Sequence, residues 1–384
     1  MNTMTDKETV AVAVSGGADS LYSLISLQEA GQPVIALHGI FLVPPDDRAA
    51  EAAAMRSRLS DACKVLGIPL HVVDCSEDFL RLVVRPFVQS YAEGRTPNPC
   101  ALCNASIKFG LLLDQARALG ASRLATGHYA ALMRDVGGTK AGSNLFLPAL
   151  YQGADPQKDQ SYFLALVPRA RLAHALFPLA EARKSVILER LAARGIVPPQ
   201  PGESQEVCFI PDDDYRAFVS AMAETLGVAL SGPGPMLLED GRRVGTHKGL
   251  WQYTEGQRKG LGVGWKEPLH VLAKEQEGNV LRLGGRAEMR ASGCLCDRVN
   301  ILLPPEYWPE TVLVKTRYRE RPKPAVAETE TGADGAVSLR IRFAGSETNV
   351  APGQVAAVYV PSSGRDGEPD RPRLAAGGII SVSE

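Results

Sequence analysis

The sequence predicts an α/β protein in three parts. They are an N-terminal doubly wound parallel sheet, a central helical and linker region, and a C-terminal antiparallel β-barrel. Three observations predict this. Over the first ~150 residues short β-branched runs alternate with helical patterns, which implies a parallel sheet with helices on both faces. From Val167 to Leu226 helical patterns dominate. After Gly232 short apolar segments follow one another, separated by Gly, Pro and Asp, as antiparallel strands closing a small barrel or sandwich do. The expected divisions are 1–165, 166–231, 232–300 and 301–384, with the second cysteine region in 166–231 and a small central domain in 232–300.

The elements follow in order. Val10 to Val14 is a short apolar run with the branching of a buried strand. Ser15-Gly16-Gly17-Ala18-Asp19-Ser20 is a Gly-rich turn, and Leu21 to Ala30, stopped by Gly31, reads as a helix. Strand, turn and helix N-terminus together make an anion site of backbone N–H groups at the positive end of a helix dipole. The turn has no Lys, so it is not the Walker loop. An Asp there makes sense if Asp19 holds Mg²⁺ that in turn holds pyrophosphate. Val34 to Leu37 and Pro69 to Asp74 read as strands, flanking a long helix from Ala49 to Leu66. Ile107 to Leu119 reads as a helix and Arg123 to Thr126 as a strand, with Gly127-His128-Tyr129 at its carboxyl end, where ligands of such sheets sit. Further on, Val280 to Leu283, Thr311 to Arg317, Val337 to Phe343 and Val355 to Val360 read as strands, and Ser362 to Arg373 as a polar hairpin loop.

Composition narrows the function classes. The chain has 384 residues, is 45% hydrophobic and 22% charged, and carries a formal net charge of −1, which suits a soluble globular protein with a sizeable core. No apolar run approaches the ~18 residues that span a membrane. With no signal-peptide pattern, a cytoplasmic location and no membrane partner are expected. An odd count of seven cysteines argues against a disulfide framework and for catalytic, metal-binding or buried thiols.

Several segments carry chemistry. In Arg95-Thr-Pro-Asn-Pro-Cys-Ala-Leu-Cys-Asn104 the prolines place Cys100 and Cys103 on a loop entering the next helix. The dipole there, and Lys108 about a turn on, favour thiolate. The C-x-x-C spacing suits a redox or nucleophilic pair and also half of a metal site. Ser204-Gln-Glu-Val-Cys208-Phe-Ile-Pro211 places a lone Cys in a short apolar strand. Lys158-Asp159-Gln160-Ser161-Tyr162-Phe163 mixes charge, amide and aromatic groups at a helix start, a set that can splay out and hold a base. The glycine-rich segment from Gly249 to Gly262, with Arg258 and Lys259, suits a phosphate backbone. Lys315 to Arg321 alternates basic and aromatic residues on an expected strand, as backbone contact plus stacking requires.

The turn SGGADS resembles the PP-loop, SGGxDS, of ATP pyrophosphatases, which activate a carbonyl oxygen by adenylation. Taken together with RTPNPCALCNASIKFG, ATGHYA, KDQSYFL, SQEVCFI, GTHKGLWQYTEGQRKGLGVG, VKTRYRERP and NVAPGQ, the chain resembles the bacterial tRNA-specific 2-thiouridylases from about Val10 to Val382. The resemblance implies ATP-dependent sulfur insertion at C2 of the wobble uridine in tRNAs for Lys, Glu and Gln. ATP would adenylate the C2 oxygen, and a cysteine persulfide, charged by a donor protein, would supply sulfur. By position, Ala13, Val14, Ser15, Gly16, Gly17, Ala18, Asp19, Ser20, Gly39 and Gly127 would hold ATP and its Mg²⁺. Cys103 matches the family's nucleophile and Cys208 its persulfide carrier. His128, Lys158, Asp159, Gln160, Arg317, Tyr318 and Gln354 match tRNA-contacting positions. A monomer is expected.

Three departures are visible. Ala18 stands where the family usually has Val, and Phe41 to Ala53 lacks the Trp and Cys-rich turn that many members carry. Cys100 stands where some members have Asp. Cys100, Cys103 and Cys208 therefore also suit the same reaction run through an iron–sulfur cluster with one open iron. Two other readings remain: an adenylating PP-loop enzyme with a small-molecule substrate, which would not need the basic C-terminal part, and a non-catalytic RNA-binding relative, which would gain nothing from Asp19, Cys103 and Cys208 together.

Overall fold

The structure, a computed structural model, describes residues 8–43, 46–134, 148–200, 207–347, 350–361 and 370–384. Ser204 to Glu206 of the second cysteine segment, and most of the expected Ser362 to Arg373 loop, lie outside the described residues. The N-terminal strands are β1 (Val10–Ala13), β2 (Val34–Ile40), β3 (Leu70–Asp74) and β4 (Arg123–Ala125). After β5 (Ala130–Arg134) and β6 (Pro148–Gln152), strand β7 (Ala175–Leu176) returns to the same sheet. Its order is β3-β2-β1-β4-β7, all parallel. Chain direction diverges between β1 and β4, so the crevice beyond their carboxyl ends is the natural ligand site. Both strands are nearly all apolar and buried, as a sheet covered on two faces requires.

Helices α1 (Ala18–Glu29) and α2 (Asp46–Val65) cover the sheet. Two broken helices follow. The first joins α3 (Ser76–Phe79) to α4 (Arg85–Ala92) through a π-helical stretch, Leu80–Val84. The second joins α5 (Pro99–Cys103) to α6 (Leu113–Ala118) through another, Asn104–Leu112. The central region carries α7 (Arg169–Leu172), α8 (Lys184–Ala193) and α9 (Tyr215–Leu226), the last capped by Asp214 and stopped by Gly227 in the left-handed region.

A small sheet follows, β8 (Gly234–Leu237), β9 (Arg243–His247), β10 (His270–Glu275) and β11 (Val280–Gly284), in order β10-β11-β8-β9 around Met236, Leu250, Leu281 and Leu283. The last strands are β12 (Ala291–Ile301), β13 (Val312–Lys315), β14 (Lys323–Thr331), β15 (Val337–Glu347), β16 (Val355–Val360) and β17 (Arg373–Ser383). They run antiparallel in the order β12-β15-β14-β13-β16-β17, and pairing of β12 with β17 closes the expected barrel. Strands β5 and β6 extend the β17 side, so the chain leaves the first sheet to join the barrel and comes back at β7. One apolar core accordingly runs from Ala11 and Leu124 of the sheet to Val355, Tyr359 and Leu374 of the barrel.

Four local expectations are corrected. Cys100 and Cys103 are helical rather than on a loop, because Pro99 takes the first helical position, where its missing N–H costs nothing, and Asn98 Oδ1 accepts the Ala101 N–H at 3.2 Å. The segment around Cys208 is a turn and not a strand; Pro211 follows, and Asp212 and Asp213 take φ of 54° and 56°. The strand expected through Arg317 stops at Lys315, and Arg317 and Tyr318 form the turn beyond it. Helix α1 starts inside the Gly-rich turn, at Ala18.

Candidate active site

The Gly-rich turn is shaped by its own side chains. Ser20 Oγ donates to Gly17 O at 2.9 Å and accepts the Ser15 N–H at 3.2 Å. Ser15 Oγ accepts the Gly17 N–H at 3.3 Å. Gly16 takes φ +90°, and a Cβ there would stand 3.3 Å from Met55 Sδ. Gly17 caps α1 without a side-chain bond, which leaves first-turn N–H groups for an anion. At Gly127 a Cβ would come within 3.0 Å of Asp19 C and 3.1 Å of Ser20 N, so the end of β4 lies against the turn and any side chain there would require the turn backbone to shift. Val14 O accepts from His38 Nδ1–H at 2.8 Å, which fixes the exit of β1 beside Ala13. Gly39 also lies in tight packing. A Cβ there would stand 2.7 Å from Phe41 Cε1 and 3.3 Å from Leu112, so glycine makes room for packing.

Asp19 is not alone. Its Oδ1 accepts from Tyr129 OH at 2.8 Å and from Lys184 Nζ at 2.7 Å. Lys184 opens α8, and nothing in its sequence neighbourhood marks it; only the return of the chain at β7 brings it to the turn. The turn thus does have a lysine, supplied from far along the chain.

The thiols form the second half of the site. Cys103 is 7% exposed, and burial pushes its thiol up to about 12. Burial likewise pushes Cys100 up to about 11. The Lys108 ammonium opposes both shifts, and nearby Cys208 adds to both. Cys208 keeps access to solvent, yet desolvation raises its thiol, again against Lys108. Its neighbour Phe209 explains why it comes here. That ring meets Phe79, Phe87 and Phe218 edge-on or tilted at 5.4, 5.4 and 5.3 Å, a wedge into the core beside the cysteine helix. All seven cysteines are free thiols. Asn104, buried behind Cys103, donates Nδ2–H to Phe163 O at 2.9 Å.

His128 joins the two halves. Thr126 Oγ1 lies 2.7 Å from its Nδ1, and Phe109 and Phe177 flank the ring. Burial, helped by Lys108, holds it well below the ordinary histidine value, so it is neutral. Lys108 therefore acts on all three thiols and on the histidine that follows Gly127.

The positions matched to tRNA contact are mostly engaged inside the protein. Asp159 is buried, accepts the N–H groups of Gly153 and Ser161 at 3.2 and 3.1 Å, and faces Lys315 at 3.7 Å. Gln160 Oε1 accepts the Tyr129 N–H at 3.1 Å. Tyr162 is fully buried and donates to Val355 O at 2.9 Å. The expected splayed set from Lys158 to Phe163 is thus largely a packed seam against the barrel, with Lys158 half-exposed at its edge. Tyr318 lies on Phe163 at 4.3 Å, Arg317 Nη2 donates to Glu255 O at 3.0 Å, and Gln354 Nε2 donates to Thr96 O at 2.9 Å. Arg258 and Lys259 are exposed.

Asp19 is the carboxylate suited to a phosphate-borne Mg²⁺, at the mouth of a helix N-terminus. For a resident cluster the fit is poor. Among the described residues no three His, Cys, Asp or Glu side chains gather so as to hold a metal ion, Cys100, Cys103 and Cys208 included. Among the described residues no helix is long and apolar enough to cross a membrane.

Comparison with known proteins agrees with this architecture. Residues 8–212 match the tRNA methyl transferase HUP domain, 223–284 the tRNA methyl transferase PRC-barrel domain, and 292–366 the aminomethyltransferase beta-barrel domain. The tRNA-specific 2-thiouridylase MnmA of Oleidesulfovibrio alaskensis is 51% identical over 372 residues, covering 97% of this chain and 99% of its own. Those of Lawsonia intracellularis and Magnetococcus marinus are 44% and 39% identical, covering 97% and 98% of this chain and 99% and 100% of their own. A Gly-rich turn at the head of a parallel sheet, three matched domains in order and full-length relatives give one conclusion: the chain belongs to the tRNA-specific 2-thiouridylase family of sulfurtransferases.

Proposed function

We propose that this chain forms 2-thiouridine at the wobble position of tRNAs for Lys, Glu and Gln, with ATP held by residues 13–20 and Gly127. The observation that carries the reading is family membership along the whole chain, joined to a site in which one ammonium, Lys108, acts on Cys100, Cys103, Cys208 and His128 while Gly127 lies against the backbone of Asp19. The turn's N–H groups and the α1 dipole receive phosphate. Asp19 would hold a Mg²⁺ ion, which would supply neutralisation of the phosphate charge. The uridine C2 oxygen attacks the α-phosphorus, pyrophosphate leaves, and the C2 oxygen, now bearing AMP, becomes a good leaving group.

Sulfur arrives as a persulfide on Cys208, charged by a donor protein in the cytoplasm. Its exposure suits that exchange, and the burial of Cys103 suits a protected second step. In one route the terminal sulfur attacks C2, AMP leaves, and Cys103 then attacks the Cys208 sulfur to free 2-thiouridine. In the other, Cys103 attacks first and releases hydrosulfide, which displaces AMP. Either route ends in a Cys103–Cys208 disulfide, which a thiol reductant returns to two thiols with two electrons. The donor set does not favour a cluster, so no step runs through one. The protein acts as a monomer.

The test is a thiolation assay on anaerobically purified protein with ATP, Mg²⁺, a persulfide donor and unmodified tRNA for Lys, with iron measured on the same sample. Thiolation without iron, lost with Cys103→Ser or Cys208→Ser, supports the persulfide route. Thiolation that requires iron and is also lost with Cys100→Ser replaces it with a cluster enzyme. No thiolation in either state moves the reading to a different adenylating enzyme.

A further inference from the structure

Three parts of the chain converge on Thr96, two residues before the cap of the cysteine helix. From the small sheet, Lys274 of β10 donates from Nζ to Thr96 Oγ1 at 3.1 Å and to Tyr253 O at 3.0 Å. The same ammonium lies 3.3 Å from Glu255 Oε2, with the two side chains 0% and 8% exposed. Thr96 Oγ1 in turn donates to Glu255 Oε2 at 3.4 Å. From the barrel, Pro352 O accepts the Thr96 N–H at 2.8 Å, and Gln354 Nε2 donates to Thr96 O and Pro97 O at 2.9 and 3.1 Å. Gly353 takes φ +93°, and a Cβ there would stand 2.8 Å from Thr96 O, so the two backbones touch. Arg317 closes the ring by donating to Glu255 O at 3.0 Å.

Every polar group of Thr96 is therefore claimed by another part of the chain. Burial pushes the Glu255 carboxyl up and the Lys274 ammonium down, and each opposes the other's shift. Such a pair is a weak source of stability, because desolvating two charges cancels most of their attraction; apolar residues of the same volume often do as well. What apolar residues cannot supply is a direction for the Thr96 hydroxyl. Asn98 then accepts the Ala101 N–H, and the helix so begun carries Cys100 and Cys103.

We propose that the buried Lys274–Glu255 pair is a positioning element of sulfur transfer: through Thr96 it sets the entry of the cysteine helix, while Arg317, bonded to the Glu255 carbonyl, ties that entry to the barrel. The proposal rests on the reading of Cys103 as nucleophile. It makes the approach of Cys103 depend on all three parts being docked. It also gives Arg317 and Gln354 a task inside the protein.

Thr96→Val removes only the hydroxyl and keeps the ion pair. Lys274→Met/Glu255→Leu removes both charges without leaving one unpaired. The readouts are kcat and KM for tRNA, melting temperature, and amide hydrogen exchange of peptides covering residues 98–104. Thr96→Val is expected to lower kcat roughly tenfold with KM for tRNA within about twofold, the signature of misplacement rather than lost binding. Exchange across 98–104 quickens. The double variant melts near the parent temperature but keeps the lowered kcat. Parental kcat and exchange in Thr96→Val overturn the proposal, as does a double variant that recovers kcat along with its melting temperature. The exchange measurement needs neither tRNA nor sulfur donor. Failure of the cysteine roles would show instead as full thiolation by Cys103→Ser with the exchange effect of Thr96→Val intact.

Discussion

Cys103 is a buried thiol raised to about 12 with Lys108 pulling the other way. Its resting form at neutral pH is therefore the protonated thiol, and site-resolved alkylation in the free protein should keep rising above pH 9 instead of levelling near the free-thiol value of about 8.5. The folded pKa is above the unfolded one, so the associated stability is complete below about pH 8.5 and is lost as pH rises toward the folded value. Denaturant titrations across pH 7 to 10 should show that loss, reduced in Cys103→Ser. His128 has the opposite sign. Its folded pKa lies well below 6.5, so the neutral ring contributes stability that is present above pH 6.5 and is lost as pH falls below it. His128→Gln should flatten the acid limb of the same titration; an unchanged limb would mean that the ring charges freely. At this scale the sequence singled out the thiols and Lys108, although it put Cys100 and Cys103 on a loop and Cys208 in a strand. It could not weigh burial, which here outweighs the pull of Lys108, because burial belongs to the packed neighbours and not to the residue.

At the scale of elements, the strand–turn–helix unit at residues 10–29 was legible because its signals are local: a β-branched run, two glycines, and a helical pattern that stops at Gly31. Gly127 makes the unit testable. With its Cβ only 3.0–3.1 Å from the backbone of Asp19 and Ser20, Gly127→Ala must push the turn off β4, and ATP affinity measured by calorimetry should fall about tenfold. The cysteine helix was misjudged for an equally local reason. Pro97 and Pro99 read as helix breakers, yet Pro99 sits where proline is tolerated and Asn98 supplies the cap. Asn98→Ala should cost about 1 kcal/mol in denaturant unfolding, the usual value of such a cap. The short apolar run beside Cys208 offered strand residues, but the Phe209 ring uses them as an anchor in a turn.

Across the whole molecule the charges divide by exposure. Lys259 and Arg258 lie on the outside, whereas Arg317 and Gln354 hold the junction at Thr96. Lys259→Gln should therefore weaken tRNA binding and lower the slope of log affinity against log salt by about 1. A slope unchanged from the parent would remove that loop from the RNA interface. By itself the sequence determined the fold class and the family, and it singled out the Gly-rich turn and the thiols. Each of these is written in a contiguous run, where periodicity, glycine pairs and residue spacing act over a few residues. The tertiary structure alone decided which distant residues share a site: Lys184 on Asp19, Cys208 and Cys103 both under the influence of Lys108, Lys274 and Glu255 on Thr96. The physical reason is that these meetings follow from where β5 and β6 join the barrel, where β7 returns, and how one core packs the sheet against the barrel. Those are long-range outcomes of burial that no local pattern encodes.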